Sequence, residues 1–238
     1  MGKAVASCCK NSSVFRIACG VDITGPGDSP FPVFSSFDRV DIPADIIIDF
    51  SSRFVLDEEI AFAKANSLPV VIGTTGLNDD DMQKLKELSF SVPVFNSSNM
   101  SLGVNLQKSL ICEAAKVLGD SFDIEIIEKH HNEKKDAPSG TAYLLADALK
   151  DVLPYEPVYT YSRKENTEKR DKKEIGIHSV RGGTIVGEHE VLFIGNDEVI
   201  TIKHQAFSKN VFAEGALKAA GFLSGKKSGF YSMPDLLK

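Results

Sequence analysis

The feature that most constrains the fold is an alternation of short apolar runs with segments of helical spacing over the first half of the chain. Ile46-Ile47-Ile48-Asp49-Phe50 is a continuous apolar run of the kind that both-face burial in a parallel sheet selects. A helix at Val55 to Asn66, a strand at Pro69 to Ile72, a helix at Asp79 to Leu88, a strand at Val92 to Phe95 and a helix at Leu102 to Leu118 follow. Three strand–helix alternations in succession predict a doubly wound, Rossmann-like parallel sheet. Two of its strands lead into Gly73-Thr74-Thr75-Gly76 and Asn96-Ser97-Ser98-Asn99-Met100-Ser101. Loops at the carboxyl ends of such strands are where ligands bind in open α/β sheets.

The opening of the chain fits part of a dinucleotide-binding unit. Met1 to Ala6 reads as the first turn of a helix, Phe15 to Val21 as a strand, and Asp22 closes it 20 residues after Gly2. A carboxylate at that distance binds the adenine ribose hydroxyls, although an acid that merely ends a strand has the same look. Ile23 stands where a basic residue would favour a 2′-phosphate, so NAD is weakly favoured over NADP. The first strand and the glycine turn of such a unit are missing ahead of Met1. Residues Thr24 to Pro43, rich in proline and glycine, read as a loop.

Beyond Gly119 the pattern changes. Strands are expected at Asp123–Glu128, Ile175–Val180, Gly187–Ile194 and Glu198–His204, the last three as antiparallel neighbours and the first joining them in a mixed sheet. A helix from Thr141 to Val152 would cover one face, and Val191, Phe193, Ile200 and Ile202 would pack a core or an oligomer face. Lys164 to Lys173 holds no apolar residue and reads as an exposed, mobile loop. The helix Val211 to Leu223 should return to the first sheet and let the C-terminal end complete it. The organisation expected is a dinucleotide-binding domain of residues 1–100 and 211–238 around an α+β substrate-binding and oligomerisation domain of residues 101–210.

Composition narrows the function. A net charge of -6 argues against nucleic acid as a partner. No apolar run reaches the roughly 20 residues of a membrane helix, and no secretory signal opens the chain, so a cytoplasmic protein without membrane contact is expected. Cys8, Cys9, Cys19 and Cys112 form no CxxC pair and read as small hydrophobes in a reducing compartment.

The segment Glu128 to Ala142, expected as a strand-to-helix loop, gathers the chemistry. Adjacent His130 and His131 titrate near neutral pH, Lys134 and Lys135 are cationic, and Asp136-Ala137-Pro138-Ser139-Gly140-Thr141 carries helix-start signals that favour a bound carboxylate or phosphate. Metal binding is a weaker reading, because no third ligand stands at a recognisable spacing. A merely solvated charged loop is, on composition alone, about as good a reading as a site. His178, His189 and His204 read as single structural histidines, Glu128 and Glu133 as structural or solvated acids, and Asp136 as a cap or loop-orienting acid.

The string His130-His131-x-x-Lys134-x-Asp136-Ala137-Pro138-Ser139-Gly140-Thr141-Ala142 resembles the signature of the dihydrodipicolinate reductase family, now called 4-hydroxy-tetrahydrodipicolinate reductases. The resemblance runs over essentially the whole chain. It implies reduction of a small cyclic dicarboxylate by NADH or NADPH in lysine and diaminopimelate biosynthesis. It makes His130 and Lys134 the catalytic pair, His131, Ser139, Gly140 and Thr141 substrate-binding, and Lys135 solvent-facing. Gly2, Asp22, Gly73, Thr74, Thr75, Ser97, Ser98, Asn99 and Met100 fall to the cofactor, no residue to a metal, and the second sheet to a homotetramer. For the short opening, one expectation is that Met1 is internal to a longer reductase. The alternative is an N-terminally truncated, impaired homologue that binds a dicarboxylate or serves assembly.

Overall fold

The computed structural model describes residues 1–10, 12–25, 27–164 and 168–238. Two compact units emerge, one of residues 1–102 and 209–238 and one of residues 103–208.

In the first unit, the helix α1 (Gly2–Cys9) is followed by the short strands β1 (Gly20–Val21) and β2 (Val33–Phe34). These two pair in parallel as a separate sheet. The strand expected from Phe15 to Val21 is thus paired over its last two residues alone, and the expected loop from Thr24 contains β2 and a 3-10 turn at Phe37–Arg39. The main sheet comprises β3 (Ile47–Asp49), β4 (Val70–Ile72), β5 (Pro93–Asn96) and β11 (Gly229–Tyr231), in the order β11-β5-β4-β3, every pair parallel. The C-terminal end therefore completes this sheet, as its apolar pattern implied.

The two faces of β4 explain the layering. Val70 and Ile72 pack with Leu56 and Ala63 of α2 (Leu56–Asn66) and with Leu85 and Leu88 of α3 (Asp79–Leu88). Val71 points the other way, to Ala216, Ala219, Ala220 and Leu223 of α6 (Asn210–Leu223). Strand alternation sends successive side chains to opposite faces, and the continuous apolar run is what lets both be buried. Two side-chain devices fix the helix starts and ends here. Asn78 and Asp81 form a capping box at the start of α3, worth about 1 kcal/mol, and Ser67 ends α2 in the left-handed region at φ 54°.

In the second unit, α4 (Leu102–Leu118) leads to β6 (Asp123–His130), α5 (Gly140–Lys150), β7 (Val158–Thr160), β8 (Glu174–Arg181), β9 (Gly187–Ile194) and β10 (Val199–Ala206). The sheet order is β10-β9-β6-β8-β7. The hairpin order expected from sequence is corrected here: β6 lies between β8 and β9, parallel to the first and antiparallel to the second. Sequence proximity suggested that β8 and β9 pair, but β6, alternating strictly between half-buried and buried positions with none exposed, takes the centre. Its inward residues Ile124 and Ile126 meet Ala142, Leu145, Ala146 and Leu149 of α5, together with Ile175, Ile177, Val191 and Phe193. Val191 and Phe193 are thus core, not surface, while Ile200 stays 38% exposed.

Part of the expected mobile loop, residues 165–167, lies outside the described residues. Its end is held to the sheet. Arg170 donates to Asp123, to Glu125 and to the carbonyls of Ile124 and Glu174, so one of the charged residues read as solvated is half-buried.

Candidate active site

The segment expected as a loop begins inside a strand. Glu128, Lys129 and His130 are the last residues of β6, and alternation places Glu128 and His130 on the buried face that Ile124 and Ile126 occupy further back. His130 is 8% exposed and Glu128 fully buried. Adjacent in sequence, His130 and His131 separate at the strand end, His130 inward and His131 half-buried in the turn that follows.

The buried Glu128 carboxylate is surrounded by donors. Its Oε2 accepts from His130 Nδ1 at 2.6 Å and from Arg181 Nη1 at 2.8 Å. Its Oε1 accepts from Arg181 Nη2 at 2.7 Å and from the Ser139 backbone N–H at 3.1 Å. Burial pushes this carboxyl's pKa up, but the bonds from Arg181, His130 and Ser179 outweigh it and bring it down to about 2. The planar Arg181 fork meets both oxygens, a geometry lysine cannot reproduce. Removing one partner of such a buried pair typically costs about 3–5 kcal/mol, because the other charge is left without compensation.

His130 responds in the opposite direction. Burial lowers its pKa, and the neighbouring Glu128 offsets this in part while Lys134 and Arg181 add to it. The free protein therefore holds a neutral imidazole whose Nδ1–H is donated to Glu128, leaving Nε2 for chemistry. Nε2 lies beside Gly187 of β9, where a Cβ would stand 3.2 Å away.

Ser139 is a builder of the site. Its N–H serves Glu128, its hydroxyl accepts from Ala142 N–H as the cap of α5, and the same hydroxyl lies 2.9 Å from His189 Nε2. It is 2% exposed. Sequence reasoning gave Ser139 to the substrate, but both its polar groups are committed to the protein. Gly140, exposed, and Thr141, half-buried, are the residues that the first turn of α5 presents. Lys134 sits between α5 and β6 with its Nζ 2.9 Å from Asp136 Oδ1, and this contact holds the Asp136 carboxyl below the usual range.

Three members of the network were missed or left unassigned in sequence: Glu128, Arg181 and His189. Glu128 had a legible signal, since a charged residue in the buried phase of an alternating strand needs a partner. Arg181 reaches it only through the β6–β8 register, which pairs His130 with Arg181, and His189 through the β6–β9 register, which pairs it with Glu128. Burial and the nearby His130 bring the His189 pKa down to about 3. Among the described residues no group of three or more His, Cys, Asp or Glu side chains is disposed to hold a metal ion.

In the first unit, Gly73 to Thr75 and Ser97 to Met100 among the residues given to a cofactor lie in the loops that follow β4 and β5. Gly73 N–H donates to Asp49 O and Ser97 N–H to Ile72 O, tying the loops after β4 and β5 to the preceding strand ends. A Cβ on Gly73 would fall 2.5 Å from the Phe50 ring, so any larger residue there must displace that ring. Thr74 is buried with its hydroxyl on Asp49, while Thr75 and Ser98 are exposed. Asn99 is buried, its Oδ1 accepting from Ser101 N–H. Met100 departs from the expectation: it is 2% exposed and its side chain belongs to the core beneath α6. Asp22 is exposed at the end of β1, its carboxylate held below the usual range by the Thr24 hydroxyl and N–H and by Lys3 of α1. Its proximity to Lys3 brings it to the first turn of α1, where exposed Gly2 stands. Hydroxyls at the carboxyl ends of the parallel strands, and a carboxylate near the start of α1, are groups of the kinds that bind a dinucleotide.

Two family models divide the chain between them: the N-terminal part of dihydrodipicolinate reductase matches residues 1–100 and the C-terminal part residues 103–237. The chain belongs to the dihydrodipicolinate reductase family. Among its relatives, the 4-hydroxy-tetrahydrodipicolinate reductase of Caldanaerobacter subterraneus subsp. tengcongensis is 53% identical across the whole chain and 94% of the relative. That of Clostridium novyi is 44% identical with the same coverage. A dipicolinate-bound dihydrodipicolinate reductase from Paenisporosarcina sp. TG-14 superposes with a TM-score of 0.80 at 25% identity, covering 97% of this chain and 92% of that one. A diaminopimelate dehydrogenase from C. glutamicum, with a TM-score of 0.58 at 12% identity, shares the fold. Family membership fixes the Rossmann-like and mixed-sheet plan as that of a nucleotide-dependent reductase. No helix among the described residues is long and apolar enough to cross a membrane.

Proposed function

We propose that the chain catalyses the NADH- or NADPH-dependent reduction of 4-hydroxy-tetrahydrodipicolinate to tetrahydrodipicolinate, with loss of water, in lysine and diaminopimelate biosynthesis. The observation that carries this reading is the family match over the whole chain together with the His130, Lys134 and α5 helix-start arrangement at the end of β6. A reduced nicotinamide, when bound, supplies the hydride. Gly2, Asp22, Gly73, Thr75, Ser97, Ser98 and Asn99 would hold the dinucleotide, with Thr74 supporting Asp49 beneath it and Met100 contributing core packing. NADH is favoured weakly, since Ile23 follows Asp22.

The protein's own part is to hold two carboxylates, exclude water and protonate the ring carbon next to the one that receives hydride. Gly140 and Thr141 at the start of α5 suit one carboxylate, since a helix N-terminus presents N–H groups and a positive dipole end. Lys134 and His131 supply positive charge and hydrogen bonds to the ring substituents. His130, neutral in the free protein, gains its proton when the negative substrate arrives and serves as the general acid. Such catalysis contributes about 10²–10⁴-fold in rate.

The homotetramer expected from the family would use the mixed-sheet face opposite α5. That face carries half-buried Ile127, Leu192 and Ile194 and a square of ion pairs in which Lys129 and Lys203 each meet Glu188 and Glu190. A cytoplasmic location follows from the biosynthetic role proposed.

Calorimetric titration with NADH, with and without pyridine-2,6-dicarboxylate, tests the binding half of this reading. NADH affinity tightened by the dicarboxylate supports it; absence of binding by either ligand contradicts it.

A further inference from the structure

Nothing in the proposed chemistry requires Glu128 to touch substrate, yet the carboxylate is the most heavily bonded group of the site. It is fully buried, takes hydrogen bonds from Arg181, His130, Ser139 and Ser179, and joins the end of β6, the end of β8 and the first turn of α5. A carboxylate has about four lone-pair sites, so all its capacity is used. A histidine with a carboxylate on one ring nitrogen has its tautomer and ring plane set by that bond.

We propose that Glu128, clamped by Arg181, is a positioning residue that fixes the His130 ring with Nδ1–H on the carboxylate and Nε2 directed past Gly187 to the reacting carbon. This rests on the reductase reading for its catalytic consequence but not for its geometry. Arg181 then acts within the protein: both Nη atoms are used on Glu128, and Nη2 also donates to the Asp136 carbonyl, tying the catalytic loop to the same clamp. The Gly182 N–H donates to the His130 carbonyl and the Asn132 N–H to the Gly183 carbonyl, so the β8 end also holds the His130 backbone. Ring, backbone and loop are thereby set by one pair of charges. Glycine at position 187 belongs to the device, since any Cβ there would crowd Nε2.

The charged and titratable groups facing His130 are Glu128 on its own strand, Lys134 in the following turn, Arg181 on β8 and His189 on β9, whose ring centroid is 5.2 Å away. Of these Glu128 alone favours the imidazolium. Glu128→Gln retains size and an acceptor while removing the charge, so it separates the positioning charge from packing.

The test has two readouts. Nitrogen NMR of the histidine-labelled 238-residue protein at pH 8 should find His130 in the Nδ1–H tautomer. In Glu128→Gln its proton affinity should fall at least tenfold. In the kinetic readout, Glu128→Gln should lower kcat about 100-fold with KM for the dicarboxylate substrate changed less than threefold. The alkaline limb of the kcat profile should move to lower pH by about one unit. Arg181→Met, which frees the carboxylate from its clamp, should lower kcat with a folded, NADH-binding protein. An Nε2–H tautomer in the wild-type protein overturns the proposal whether or not the variants fold. So does an unshifted pH limb in a folded Glu128→Gln protein. A wild-type protein without reductase activity would instead contradict the functional reading, and the NMR result would still decide the geometry.

Discussion

Glu128, His130 and His189 share one buried face of a sheet but titrate apart, and that separation is the basis of the residue-scale predictions. With Glu128 brought down to about 2 and His130 below its ordinary value, the free protein at pH 7.5 carries a carboxylate and a neutral imidazole. A bound dianion favours the charged ring, so pyridine-2,6-dicarboxylate binding should take up close to one proton. Calorimetry in buffers of different ionisation enthalpy would measure it, and His130→Ala should abolish the uptake. In turnover, His130→Ala and Lys134→Ala should each lower kcat by about 10²–10⁴-fold while NADH affinity stays within a few-fold. Wild-type turnover in both variants would remove them from the chemistry.

At the scale of elements, close approach determines which glycines matter. Gly215 of α6 faces the chain just before α4, where a Cβ would come 1.7 Å from the Met100 carbonyl oxygen. Because the obstacle is backbone, Gly215→Ala must displace α6 or the 97–100 loop. We expect a loss of about 2–4 kcal/mol in denaturant unfolding, with NADH affinity reduced alongside. This contact also shows what sequence could convey. The helices α3 and α4 are legible to the residue, because capping signals and apolar spacing are local, and β3, β4 and β5 are legible to within a residue at either end, while of β11 only its general place at the C-terminal end is. The order of the mixed sheet is not legible, since β6 inserts between two strands that are nearer neighbours in sequence. The same non-local pairing hid Arg181 and His189 from the site. For Ser139 and Met100 the motif names the residue, while burial decides which way its side chain faces, and both side chains turn into the protein.

Across the molecule the two units carry opposite pH liabilities. In the first, Glu59 of α2 is 1% exposed with neither carboxylate oxygen hydrogen-bonded, and burial, with Asp49 nearby, raises its pKa well above 4.5. The unfolded chain ionises Glu59 at lower pH than the folded unit, so stability falls as pH rises above about 4.5, by at most about 1.4 kcal/mol per pH unit. Glu59→Met should stabilise this unit at neutral pH and lose its advantage near pH 4. In the second unit His189 stays neutral down to about pH 3 while the unfolded chain protonates it near 6.5, so stability falls as pH drops through that window. His189→Gln should flatten the acid side. Hydrogen exchange followed separately in residues 1–102 with 209–238 and in residues 103–208 would check both slopes.

The central claim is that this chain reduces 4-hydroxy-tetrahydrodipicolinate through His130 and Lys134. The most direct measurement is the rate of NADH and NADPH oxidation by the purified 238-residue protein with freshly generated substrate, beside its His130→Ala variant. The account predicts substrate-dependent oxidation by the wild-type chain that pyridine-2,6-dicarboxylate inhibits and that falls at least 100-fold in the variant. A folded wild-type chain that oxidises neither cofactor, or a variant with unchanged turnover, would contradict it.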